Sequence, residues 1–182
     1  MSSTTLFTTD NLVIMPLQAT HLSMLLEYEQ HNKAHLSRWE PKRSADYFTQ
    51  EATLSRLNQA VTDTMSGKSV SLVGLNPQQS RIVCRCQFSN IVHGVFQACN
   101  LGYSISEQDQ GKGLMFEMLN VAIDYMFNTY QLHRIMANYM PVNGRSQKLL
   151  NRLGFEQEGV AKAYLYIAGS WEDHVLTAKI NR

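Results

Sequence analysis

The chain has 182 residues, a length that favours one domain over two. Charged residues make up 17% and hydrophobic residues 44%, so the chain can bury a core and wholesale disorder is excluded. Sixteen Lys and Arg against 15 Asp and Glu leave a formal net charge of +1. That balance speaks against a broad nucleic-acid or anionic-lipid footprint and leaves room only for a local patch.

The apolar stretch nearest the start, Leu12 to Leu17, is six residues long and contains Pro16. A bilayer span needs about 20 residues, and no basic segment followed by an apolar core opens the chain. The three cysteines, Cys84, Cys86 and Cys99, fit neither a disulfide framework nor a zinc knuckle. Two of them sit in an alternating apolar run, as buried sheet residues do, which points to a reduced, cytoplasmic protein.

In chain order, residues 1–9 are a small, polar N-terminal segment, its first few residues loose, ahead of a domain spanning 10–180. A first strand is predicted from Asn11 to Leu17, then a helix capped by Thr20 and running to about Gln30. A loop around Trp39-Glu40-Pro41 follows. A second helix is predicted from Thr49 to Met65, with Leu54, Leu57, Val61 and Met65 on one stripe and Gly67 as its stop. The period then changes to that of strands: Ser69–Leu75, Arg81–Val92 and Phe96–Ile105, joined closely enough to be antiparallel. Residues 112–129 return to helix, with Leu114, Met115, Met118, Leu119, Ala122, Ile123 and Met126 on its apolar face. A strand at 133–140 stops at Pro141. Asn143 then caps a short helix closed by Gly154, and two strands at 155–167 and 171–179 flank Ala168-Gly169-Ser170. The order β-α-α-β-β-β-α-β-α-β-β describes a single α/β (α+β) domain, a mixed, mostly antiparallel sheet flanked by helices.

Chemistry is concentrated where the third of those strands runs into Gln108-Asp109-Gln110-Gly111-Lys112-Gly113-Leu114 and then directly into the long amphipathic helix. Amides in the first turn of a helix lack internal partners and carry the positive end of its dipole, and glycines let that backbone approach a ligand. Strand, Gly-x-Gly and helix start together make a phosphate cradle. The P-loop pattern fails because Lys112 is followed by glycine, and the dinucleotide pattern fails at Phe116. Gln108, Gly111 and Gly113 write Q-x-x-G-x-G. On spacing alone, a plain helix-leading turn explains the same residues.

This segment resembles the coenzyme pyrophosphate loop of the GNAT superfamily of N-acetyltransferases. The element order resembles that fold over about residues 10–180. Longer strings, from Gly111 to Glu117, His133 to Pro141, Leu153 to Glu156 and Trp171 to Ala178, with Trp39-Glu40-Pro41, are similar to its ribosomal-protein-alanine branch. The resemblance implies the GNAT fold, acetyl-CoA as cosubstrate, and transfer of acetyl to the N-terminal alanine of a small-subunit ribosomal protein. No metal, no membrane and no direct nucleic-acid contact enter that reading, and nothing in the sequence singles out an oligomeric interface.

By the same resemblance, the main-chain amides of Gln110, Gly111, Lys112, Gly113 and Leu114 hold the pyrophosphate, with Gln108 opening the motif. The main chains of Tyr103 and Ile105, and the Asn143 side chain, match the positions that hold pantetheine. Many relatives carry a Tyr acid where this chain has Leu150. Ser146, one turn after Asn143, matches an alternative acid, and Glu107 and Glu40 are candidate bases; ordinary solvated or helix-start residues explain all three equally well. His31 and His35 are spaced i, i+4 but lack a third ligand, and His174 reads as a satisfied sheet histidine. Two rival readings stay open. One is a small-molecule N-acetyltransferase acting on a polyamine or an aminoglycoside, because a fold does not fix its acceptor. The other is a non-catalytic acyl-CoA-binding module associated with ribosomes.

Overall fold

Val13 and Met15 pack toward one layer of helices while Leu12 and Ile14, pointing the other way, pack toward another, so the first long strand is buried on both faces. The computed structural model describes residues 5–182. Its strands are β1 (Phe7–Thr8), β2 (Val13–Pro16), β3 (Val70–Leu75), β4 (Ile82–Val92), β5 (Ala98–Ile105), β6 (Arg134–Met136), β7 (Glu156–Ile167) and β8 (Ser170–Ile180). They form one sheet in the order β1-β2-β3-β4-β5-β6-β8-β7. Every pairing is antiparallel except β5 with β6.

The helices are α1 (Leu22–His31), α2 (Lys33–Leu36), α3 (Gln50–Met65), α4 (Leu114–Thr129) and α5 (Gly144–Arg152). Residues of α1 and α3 close a smaller core on one face, around Leu25, Tyr28, Leu57 and Val73. Residues of α4 and α5 close the larger core on the other, around Phe88, Met118, Ile123 and Leu150. All six residues of β3 are buried, as expected of a strand covered by helices on both faces. The apolar face expected for α4 is wholly buried.

Several expectations need correction. The loose start expected of the first few residues lies outside the described residues, and within the N-terminal segment Phe7–Thr8 pairs with Val13 and Ile14 as an edge strand. Thr20 does not cap α1. The chain enters through a 3-10 turn at Ala19–His21, where Gln18 and His21 cap one another. The stripe on α3 is rotated: Leu54 is 39% and Met65 84% exposed, while Thr53 and Leu57 are fully buried. Thr53 belongs inside because its hydroxyl reaches the Glu29 carboxylate, 3.4 Å away. The strand expected at 133–140 pairs only over Arg134–Met136, with a single further bridge from Tyr139 to Val175.

Glu29 staples the smaller core. It is 5% exposed and accepts from Arg56 on α3 at 2.5 Å and from Arg85 on β4 at 3.1 Å. Removing a buried carboxylate between two arginines strands their charges, which costs about 3–5 kcal/mol. Glu29→Ala is therefore expected to lower unfolding free energy by that amount in urea titrations, with Glu29→Gln milder. A loss of less than about 1 kcal/mol, the range of surface pairs, would contradict the staple.

Candidate active site

β5 and β6 are paired as strands only over Ala98–Asn100 and Arg134–Met136. β5 then continues to Ile105 while β6 ends, so the two strands part and leave the main chain of Tyr103–Ile105 without a neighbour on the β6 side. Side chains alternate along β5. The Tyr103 side chain meets Ser146 at the head of α5, whereas Ser104 points to the α1 face and bonds the Tyr28 hydroxyl at 2.9 Å. Burial pushes the Tyr103 phenol up to about 12, with nearby Tyr139 adding to the shift and the Ser146 hydrogen bond opposing it.

The loop after β5 starts as a 3-10 turn at Glu107–Asp109 and ends at Gly113, which caps α4 in the left-handed region at φ 80°. Gly111 is also left-handed, at φ 75°. A side chain at either position would meet nothing within 4 Å, so glycine is needed for backbone conformation, and the space above it is open. The first backbone bond of the helix runs from the Glu117 amide to the Gly113 carbonyl at 3.1 Å. The amides of Gly113 through Phe116 precede that ladder and are free for an anion.

Asp109, 2% exposed, sets this loop. Its carboxylate accepts from Arg81 at 2.5 and 3.1 Å and from Lys112 at 3.1 Å. Burial pushes the Asp109 carboxyl up, but the hydrogen bonds and charges of Arg81 and Lys112 outweigh it and hold the group below its ordinary range. Sequence reading missed this anchor, although Asp109 stands inside the glycine motif; its partner Arg81 is 28 residues away. Asn32, between α1 and α2, was also missed: it accepts from the Glu107 amide and donates to the Tyr28 carbonyl, both at 2.8 Å. The Gln110 side chain bridges His35 of α2, at 2.8 Å, and Arg145 of α5.

The three candidate catalytic side chains do not converge. Glu107 and Gln108 are exposed and line a cleft of about 540 Å³ with His31, Asn32 and Arg81. Glu40 lines a second cleft, of about 310 Å³, with Glu29, Tyr47, Arg85 and Ala168. Ser146 lies on the opposite face of the sheet from Arg85, beside Tyr103. Asn143 accepts from the Ser146 amide at 3.1 Å, so its carbonyl is spent on capping α5 while its NH₂ group remains available. Leu150 is fully buried in the core. His174 is buried beside the Glu172 carbonyl, 3.0 Å away, and Cys84, Cys86 and Cys99 are free, buried thiols. Among the described residues, no three His, Cys, Asp or Glu side chains form a metal-binding group.

The second cleft adjoins the parted strand. Its floor residue Arg85 is paired across β4 and β5 with Ser104. Its far lip is the β7–β8 turn, tied down where the Ala168 amide donates to the Glu40 carbonyl at 3.0 Å.

The Acetyltransferase (GNAT) domain family matches residues 11–156. The chain belongs to the GNAT family. It is 46% identical to the [ribosomal protein uS5]-alanine N-acetyltransferase of Escherichia coli, over 94% of this chain and 88% of that protein. The crystal structure of the ribosomal-protein-S5-alanine acetyltransferase of Vibrio fischeri superposes with a TM-score of 0.92, at 41% identity and 96% coverage of both chains. Mycobacterium smegmatis RimJ, solved with CoA-disulfide, superposes with a TM-score of 0.87 at 26% identity, covering 93% of this chain and 81% of that one.

Breaking the Asp109 anchor strands two cations, and Asp109→Asn is expected to cost about 2 kcal/mol of stability at pH 7. Because the folded carboxyl is held low, its contribution is present above the ordinary value of 3.8 and is lost as pH falls through the lowered one. The variant's thermal midpoint should therefore fall less steeply than the wild type's below about pH 4. Parallel acid limbs would contradict the assignment.

Proposed function

We propose that the chain transfers acetyl from acetyl-CoA to the α-amine of the N-terminal alanine of a small-subunit ribosomal protein, by direct attack in a ternary complex. The observation that carries this reading is the 46% identity, over 94% of the chain, to an enzyme named for that reaction. The site's geometry supports it. Free amides at Gly113 to Phe116 and the left-handed Gly111 suit a pyrophosphate, and the unpaired edge of Tyr103–Ile105 suits the amide-bearing pantetheine arm, as an added strand would.

In the reaction the amine lone pair forms a C–N bond to the thioester carbon, and the C–S bond breaks with its electrons on sulfur. The nitrogen gives up two protons, one from the ammonium before attack and one after the C–N bond forms; one goes to water and the other balances the proton that the thiolate takes up. An α-amine with a pKa of about 7.7–8.0 is roughly a tenth neutral at pH 7, so no strong base is needed. Cations around the second cleft push that balance further toward the neutral amine. Glu40 lines this cleft and can pass the proton to water, whereas Glu107 faces the other one. A main-chain amide of β5 polarises the carbonyl. Ser146, across the sheet and backed by the Tyr103 hydroxyl, protonates the thiolate.

A polyamine acceptor fits poorly, because the second cleft carries five cationic residues and two acidic ones. A ribosomal substrate, free buried thiols and no helix among the described residues able to cross a membrane agree with a cytoplasmic enzyme.

The purified chain is expected to acetylate an alanine-starting peptide with acetyl-CoA, releasing one thiol per transfer. Ser146→Ala is expected to lower kcat about 100-fold with little change in coenzyme affinity. Transfer to spermidine or an aminoglycoside but not to the peptide would refute the acceptor. An unchanged kcat in Ser146→Ala would remove the acid.

A further inference from the structure

We propose that the second cleft is a carboxylate-selecting site, so that the preferred acceptors carry acidic residues just behind the N-terminal alanine. This inference rests on the proposed function and specifies the substrate class of the same site.

Charge in this molecule is segregated. The whole chain carries +1, yet five of its 16 Lys and Arg line this one cleft of about 310 Å³. Its two acids are already engaged. Glu29 is held by Arg56 and Arg85, and Glu40 pairs with Arg43 at 3.7 Å. Among the described residues, Lys33, Arg38 and Lys42 line the cleft with no carboxylate in ion-pair range.

Two of these three cations are held in place by aromatic rings. The Lys33 ammonium sits 4.6 Å over Phe48, and the Arg38 guanidinium 4.3 Å over Trp39. Arg43 is held likewise, 4.5 Å over Tyr47. Stacking leaves the hydrogen-bonding edge of a guanidinium free and reduces the entropy lost when it takes a carboxylate. A chain whose amine enters beside Ser104 passes between Arg85 and the β7–β8 turn and emerges among these cations. Carboxylates at its next few residues would meet them there.

A nucleic acid would also be drawn to cations. The concave cleft and its closed far lip favour an extended peptide over a polynucleotide, which binds along an open basic stripe.

The test compares two alanine-starting peptides that differ only in glutamates or glutamines just behind the first residue. The expected kcat/KM ratio is roughly tenfold in favour of the glutamate peptide at low ionic strength, shrinking as salt is added. The double variant Arg38→Glu, Lys42→Glu should invert the preference. Should that variant fail to fold, Arg38→Gln and Lys42→Gln singly should each cut the ratio about threefold. Equal kcat/KM for the two peptides in the wild type overturns this inference while leaving N-terminal alanine transfer intact. Equal values together with inhibition by a single-stranded RNA oligonucleotide assign the cations to nucleic acid and also overturn it. No transfer to either peptide removes the proposed function, and this inference with it.

Discussion

The pairing of β5 with β6, the only parallel one among the described residues, governs everything around it. β5 and β6 hold together for three residues on each strand and then separate. A sheet interrupted in its middle would expose main-chain donors and acceptors at great cost unless a ligand or solvent reached them. The strand across the gap is held from its other edge: β8 pairs with β6, and Tyr139 bridges to Val175. Because side chains alternate along β5, the parted strand also separates two tasks. Tyr103 and Ser146 lie on the α4–α5 face, and Ser104, Tyr28 and Arg85 on the α1 face. In the proposed reaction, amine and leaving thiolate are served from opposite sides of one strand.

The parts of the fold visible in the sequence were those governed by local periods. The α4 face is a run of apolar residues at helical spacing, and every one expected to be buried is buried. The β3–β4–β5 meander followed from short turns between alternating runs. Where local rules misled, a distant partner had intervened. The α3 stripe rotated because Thr53 turns inward to Glu29, and the helix entry shifted because His21 caps Gln18. No periodicity announces that a glutamate on α1 will be buried between arginines on α3 and β4.

The site divided in the same way. The glycine loop was legible because its conformational demand is written in two glycines one residue apart. Its anchor was not, since Asp109 depends on Arg81, 28 residues earlier and just ahead of β4. Glu107 and Glu40 looked equivalent as isolated loop acids, and only the tertiary arrangement assigns them to different clefts. Net charge was the most misleading number: +1 describes the whole chain and hides a cleft whose cations outnumber its acids.

Mass spectrometry of ribosomal proteins from cells with and without this chain tests the central claim most directly. The expected result is one small-subunit protein whose N-terminal alanine is acetylated only when the chain is present. An unchanged acetylation pattern across the small subunit would contradict it.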